Sequence, residues 1–121
     1  MTEPRTVAED YIRLWNEPDP SRRKSLLQRG WTSDATYIDP IAKAAGQENI
    51  SALVAGVQQR FPGFQFKLTT KPDGHGEHVR FSWSLGPAGA EAPIEGSDVI
   101  TTREGRICAV IGFLDKVPQG A

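Results

Sequence analysis

A single cysteine, Cys108, is all the thiol chemistry in the 121 residues, which excludes an intrachain disulfide. No Cys/His cluster at zinc-ligand spacing surrounds it, so neither metal nor disulfide is required to explain folding, and a reducing compartment is the expectation. Charge of one sign is lacking too. Fourteen Lys and Arg offset fifteen Asp and Glu, for a formal net charge of -1, which creates no field to gather nucleic acid or an anionic membrane; neither is expected as a partner. No run approaches the roughly 20 apolar residues of a membrane span, and the segment from Met1 to Asp10 has no apolar secretory core. Cytoplasmic residence follows as the expectation.

What is present suits one soluble domain over residues 1–121, a length that buries a core unaided and is short for two domains. Val7, Tyr11, Leu14 and Trp15 share one helical face, predicting a helix of about three turns that ends near Asn16. Asp19-Pro20 reads as an N-cap followed by a proline in the first turn, opening a short basic helix that Gly30 closes. The stretch Trp31 to Pro40 ends in a short extended piece, and Pro40 biases Asp39 away from the helical region, so Asp39 sits where a strand meets a loop. Ile50, Leu53, Val54, Val57 and Phe61 then recur at helical spacing until Pro62-Gly63 stops them.

Beyond Gly63 the period changes to two. Phe64, Phe66 and Leu68, then Val79, Phe81, Trp83 and Leu85, alternate as half-buried strands do. Pro72 to Gly76 and Arg103 to Arg106 read as tight connections, and the last strand, Arg106 to Leu114, is apolar on both faces, as in a strand covered on both sides. Helices first and strands second predict an α+β domain: a strongly curved, mostly antiparallel sheet wrapped as a cone around the N-terminal helices, with an internal pocket.

Three residues could carry chemistry. In Ile94 to Thr102, alternation puts Asp98 on one face with Ile94, Gly96 and Ile100. If that face is the covered one, desolvation raises the carboxyl's pKa and makes it a donor; if not, Asp98 is a surface acid or the partner of an arginine. Asp39 before Pro40 is either a side chain held at the rim of the sheet or an ordinary turn residue. Tyr11 lies on the apolar stripe of the first helix, where a tyrosine also serves simply as core. His75 and His78 flank a glycine-rich turn without a third ligand nearby in sequence, Arg22-Arg23-Lys24 reads as a solvated helix face, and Cys108 as a small buried apolar residue.

Taken together, the order of elements and the stretch Trp-Thr-Ser-Asp-Ala-Thr-Tyr-Ile-Asp-Pro followed by Gly46-Gln-Glu-Asn-Ile50 resemble the nuclear transport factor 2-like superfamily, in its SnoaL-like polyketide cyclase and ketosteroid isomerase branch. The resemblance spans nearly the whole chain. By it, Asp39 corresponds to the proton-shuttling base of the Asp-Pro pair, Tyr11 of Tyr11-Ile12-Arg13-Leu14 to an oxyanion-hole donor, and Asp98 of Asp98-Val99 to the second donor, a carboxylic acid kept neutral. The isomerase's neutral aspartate is a general example of that device, borrowed for this chain through the resemblance. Trp31 and Val54 stand where isomerases carry tyrosines, and Leu114 where an aromatic wall often lies. The resemblance implies proton transfer on a small hydrophobic carbonyl compound, as an isomerase or cyclase with no cofactor and no metal. Its pocket would be lined by Trp31, Val54, Val57, Phe61, Trp83 and Phe113. It also implies a homodimer paired through the convex sheet face. The other reading is a non-catalytic ligand-binding or dimerisation module of the same fold.

Overall fold

Proline and glycine set the boundaries of the helices. The computed structural model describes residues 3–118, with α1 over Pro4–Asn16, α2 over Pro20–Gly30 and α3 over Gln47–Arg60. Pro4 opens α1 and Pro20 opens α2, where a missing N–H is no loss. The Asp19 side chain caps α2 by accepting from the Ser21 N–H at 3.0 Å. Gly46, at φ 85°, turns the chain into α3 through a conformation that suits glycine.

Seven strands follow or intervene: β1 (Trp31–Ile38), β2 (Lys43–Ala45), β3 (Phe64–Leu68), β4 (Asp73–His75), β5 (His78–Pro87), β6 (Ile94–Arg103) and β7 (Arg106–Lys116). They form one sheet in the order β2-β1-β7-β6-β5-β3, with β4 also paired to β5. Every pairing is antiparallel except β1 with β7, so the sheet is mixed. Register shifts interrupt β1 between Trp31 and Thr36, and the β6–β7 pair at Glu95/Gly96 and Thr101/Thr102. Bulges of this kind bend a sheet, and here the curved sheet folds over the helices.

Leu14, Leu27, Ile50, Val54, Val79, Ile100 and Val110 are sealed between helices and sheet, each side chain contributing about 1.5 to 3 kcal/mol by leaving water. Aromatic rings fill the rest of the interior in a connected chain. Tyr11 stacks on Trp31 at 6.0 Å and meets Phe81 edge-on at 5.5 Å, Trp15 packs on Tyr37 and Phe66 at 5.5 and 5.4 Å, and Phe66 meets Trp83 at 5.3 Å. No helix among the described residues is long and apolar enough to cross a membrane.

Several local expectations change. Two short strands add to the expected elements: β2 lies between Pro40 and α3, and Pro72 to Gly76 contains β4 besides its turn. Arg23 does not belong to a solvated face: it is buried, with Nε donating to Ser51 Oγ at 3.1 Å and Nη1 donating to the carbonyls of Glu17 and Pro18 at 3.0 Å each. It satisfies carbonyls that the end of α1 leaves open. Strand β7 is covered on one face only, since Ile111 and Phe113 are exposed at 49% and 54%. Cys108 is half-buried, its thiol 3.4 Å from the Thr101 carbonyl.

Candidate active site

Alternation along β6 decides where the acid goes. Ile94, Gly96, Asp98 and Ile100 are buried while Glu95 and Val99 are exposed, so Asp98 points to the inner, helix-covered face and is 2% exposed. Across the sheet it is paired with Gly112 of β7 on one side and Phe81 of β5 on the other. Gly112 is needed there. A Cβ at that position would stand 2.8 Å from Asp98 Oδ1, 3.2 Å from Asp39 Cβ and 3.5 Å from the Tyr37 hydroxyl. Three groups, one from β6 and two from β1 and its end, therefore gather around one patch of bare backbone on β7. A second glycine, Gly96, lets the Trp83 indole lie over β6 next to Asp98.

Burial pushes the pKa of Asp98 up to about 6; the Tyr11 hydroxyl and the Trp83 N–H oppose the rise, and the charges of Asp39 and Asp115 add to it. By geometry Oδ1 of Asp98 and Nε1 of Trp83 are both buried with no hydrogen-bond partner, as is Nε1 of Trp15. Geometry decides here, and Asp98 Oδ1 is an unused acceptor. Tyr11 is held firmly as a neutral phenol, first by burial and then by Asp98 and Tyr37.

Asp39 follows β1 directly, and its carboxylate is tied into the Pro40 turn. Oδ1 accepts from the N–H groups of Ile41 and Ala42 at 2.9 and 2.7 Å, and Oδ2 accepts from the Tyr37 hydroxyl at 2.6 Å. The Asp39 N–H donates to the Ala42 carbonyl at 2.9 Å. Both sequence readings of this residue describe it, as it is a turn residue and also stands half-buried beside Asp98. Tyr37 is buried, and its phenol is kept neutral by burial, by its bond to Asp39 and by the charges of Asp98 and Asp39.

Asp39 and Asp98 thus come together, with Tyr11 acting on Asp98. Of the expected lining, Trp31 stacks on Tyr11, Trp83 lies against Asp98 through Gly96, and Val54 is wholly buried in the core. Val57 and Phe61 lie farther out, where with Trp15, Phe64, Phe66 and Leu85 they line an open groove of about 250 Å³ that does not include the acids. Phe113 is a correction. It stands on the outer face because the register shift at Thr101/Thr102 leaves Cys108 as an extra residue, so that Ile107 and then Val110 and Gly112 are buried while Phe113, opposite Ser97, turns outward. Arg80 also points outward and pairs with Asp73 at 3.2 Å. His75 and His78 meet edge-on at 5.7 Å on the β4–β5 hairpin, and no group of three or more His, Cys, Asp or Glu among the described residues could hold a metal ion. Tyr37 escapes the sequence reading, although it lies two residues before Asp39 on a strand, the spacing that shares a face.

The SnoaL-like domain family matches residues 8–110. Among solved structures, a SnoaL-like family protein from Agrobacterium tumefaciens, named as a candidate isomerase, is 41% identical, superposes with a TM-score of 0.89, and matches over 95% of this chain and 99% of its own. A protein from Kribbella flavida named as a candidate ketosteroid isomerase shares the fold at 17% identity and a TM-score of 0.70, over 98% of this chain and 82% of its own. A candidate SnoaL-like polyketide cyclase from Jannaschia sp. does so at 16% and 0.68, over 90% and 85%. No curated protein matches the chain. With the Asp-Pro turn, the inner-face aspartate and the curved mixed sheet in place, and with the family matched over most of its length, the chain belongs to the SnoaL-like family.

Proposed function

We propose that this protein catalyses proton transfer on a small hydrophobic carbonyl compound, as a cofactor-independent isomerase or aldol-type cyclase. The observation that carries the reading is Asp98: a carboxyl on the inner face, 2% exposed, with one oxygen unpartnered, in company with Tyr11 and Asp39. A buried acid of raised pKa supports work as a hydrogen-bond donor to developing negative charge. In the proposed reaction Asp39 takes a proton from the carbon beside the carbonyl, and the enolate oxygen accepts from Tyr11 and from Asp98 in its protonated form, which predominates below about pH 6. The proton then returns at another carbon, or the enolate carbon attacks a second carbonyl. The isomerase designation of the 41% identical neighbour agrees with this class.

The reading can be tested across a class of compounds. A panel of cyclic ketones and enones, including β,γ-unsaturated ketosteroids, is incubated with the protein in D2O, and loss of α-proton signal is followed by NMR. Exchange that falls to a small residual rate in Asp39→Asn and Asp98→Asn supports the reading; no exchange across the panel with the wild-type protein refutes it.

One observation favours the non-catalytic module: three acceptor positions of Asp39 are already filled from within the fold. A binding protein would retain its ligand in both variants. Pairing of two copies is a further part of the proposal. Ile38, Ile111 and Val99 are in register across β1, β7 and β6, all exposed, with Phe113 beside them on β7. An apolar row on an open sheet face suits a second copy of this chain. Light scattering at micromolar concentration should give a dimer mass that Phe113→Asp halves; a monomeric wild-type protein would refute pairing.

A further inference from the structure

The resemblance assigns roles to Tyr11, Asp39 and Asp98 and none to Tyr37. The geometry around Asp39 gives it more to do. An ionised carboxylate has about four acceptor positions. Two on Oδ1 are taken by the Ile41 and Ala42 N–H groups and one on Oδ2 by Tyr37. The turn fixes where the carboxylate group sits, and the phenol fixes which way its outer oxygen is used. One lone pair, on Oδ2, is left.

Tyr37 is itself well fixed. Its ring is 5% exposed and packs on Trp15 at 5.5 Å. The hydroxyl ends beside Gly112, at the same point where Asp98 Oδ1 and Asp39 Cβ approach the backbone. The hydroxyl thus stands at the junction of the two acids and bonds one of them at 2.6 Å. Its proton stays on oxygen throughout the neutral range, because burial and both carboxylates oppose phenolate formation. A donor that neither ionises nor rotates is suited to orienting a base.

We infer that Tyr37 is the positioning residue of this site, holding Asp39 so that a single lone pair of Oδ2 is presented for the substrate proton beside Asp98. The inference rests on the proton-transfer reading above. Tyr37 acts through Asp39 and has no contact of its own with the reacting atoms. Its effect therefore belongs to turnover and not to affinity, and vanishes when Asp39 cannot act as a base.

The experiment is a double-mutant cycle on α-proton exchange, with wild type, Tyr37→Phe, Asp39→Asn and the pair, using whichever panel compound exchanges fastest. Tyr37→Phe keeps the ring and its packing on Trp15. It should lower kcat by roughly tenfold to a hundredfold, the scale of a misplaced catalytic group, with KM within about twofold. In the Asp39→Asn background it should change the residual rate by less than about twofold, as expected for residues that act as one unit. Losses that multiply would overturn the inference, as would a Tyr37→Phe enzyme that turns over normally or changes only in KM. The same cycle on urea unfolding separates a structural bond from a working one. Coupling in stability with none in kcat would make the Tyr37–Asp39 bond a fold contact only and would also overturn it. Wild-type silence across the panel sinks the proton-transfer reading and takes the inference with it, whereas active wild type with multiplying losses sinks the inference alone.

Discussion

Replacing Asp98 by asparagine should make the protein more stable at neutral pH. The carboxyl has a pKa of about 6 in the folded chain against an ordinary value of 3.8. Because the folded-state value is raised, the folded state binds the proton more tightly. Stability from this group is complete below about pH 3.8, declines as the pH rises, and is fully lost above about pH 6. A difference of about 2 pKa units is worth about 3 kcal/mol. Asparagine preserves the shape of the side chain and removes the ionisation. It should therefore unfold later than wild type by about 2 to 4 kcal/mol at pH 7.5, or by about 10 °C in Tm for a chain of this size. The gap should open between about pH 4 and pH 7. Urea unfolding of the two proteins across that range isolates Asp98, because every other titrating group is common to both. A gap that is absent, constant with pH, or reversed in sign would refute the claim that the carboxyl is buried and hard to ionise.

Gly112→Ala should lower stability by about 1 to 3 kcal/mol, the scale of overpacking, because its methyl would meet Asp98 Oδ1 at 2.8 Å; calorimetry and α-proton exchange should both register the loss. Asn16→Ala removes the donor to the Phe66 carbonyl at 2.9 Å and the acceptor for its N–H at 2.8 Å; a loss of about 1 to 3 kcal/mol with faster amide exchange at Phe66 is expected, and unchanged exchange there would count against it. Arg23→Met leaves the Glu17 and Pro18 carbonyls without their guanidinium donor, and denaturation should show a cost of about 2 to 4 kcal/mol.

Where the sequence speaks through a period, it speaks clearly. Val7, Tyr11, Leu14 and Trp15 define α1, and the alternation of Ile94, Gly96, Asp98 and Ile100 identifies the face of β6 that carries the acid. What it hides depends on breaks in the period or on contacts distant along the chain. The register shift in β6–β7 changes which residues of β7 face inward, so that Phe113 goes outside and Gly112 inside. Arg23 stands one helical turn before Leu27, on the buried side of α2, but its three acceptors lie in the α1–α2 connection and on α3. Nothing local announces them. Tyr37 is an ordinary strand aromatic until the turn after Ile38 folds Asp39 back onto its hydroxyl.

The hold of Asn16 on Phe66 also has a meaning outside the active site. Strand β3 is the last in the sheet order, so one of its edges has no neighbouring strand. Open edges recruit strands from other molecules. The Asn16 carboxamide offers a donor and an acceptor to the N–H and carbonyl of one residue, as a peptide group of a neighbouring strand would. One side chain at the end of α1 thereby occupies the middle of the edge. The fold thus carries its own guard against growing into a fibril from that side.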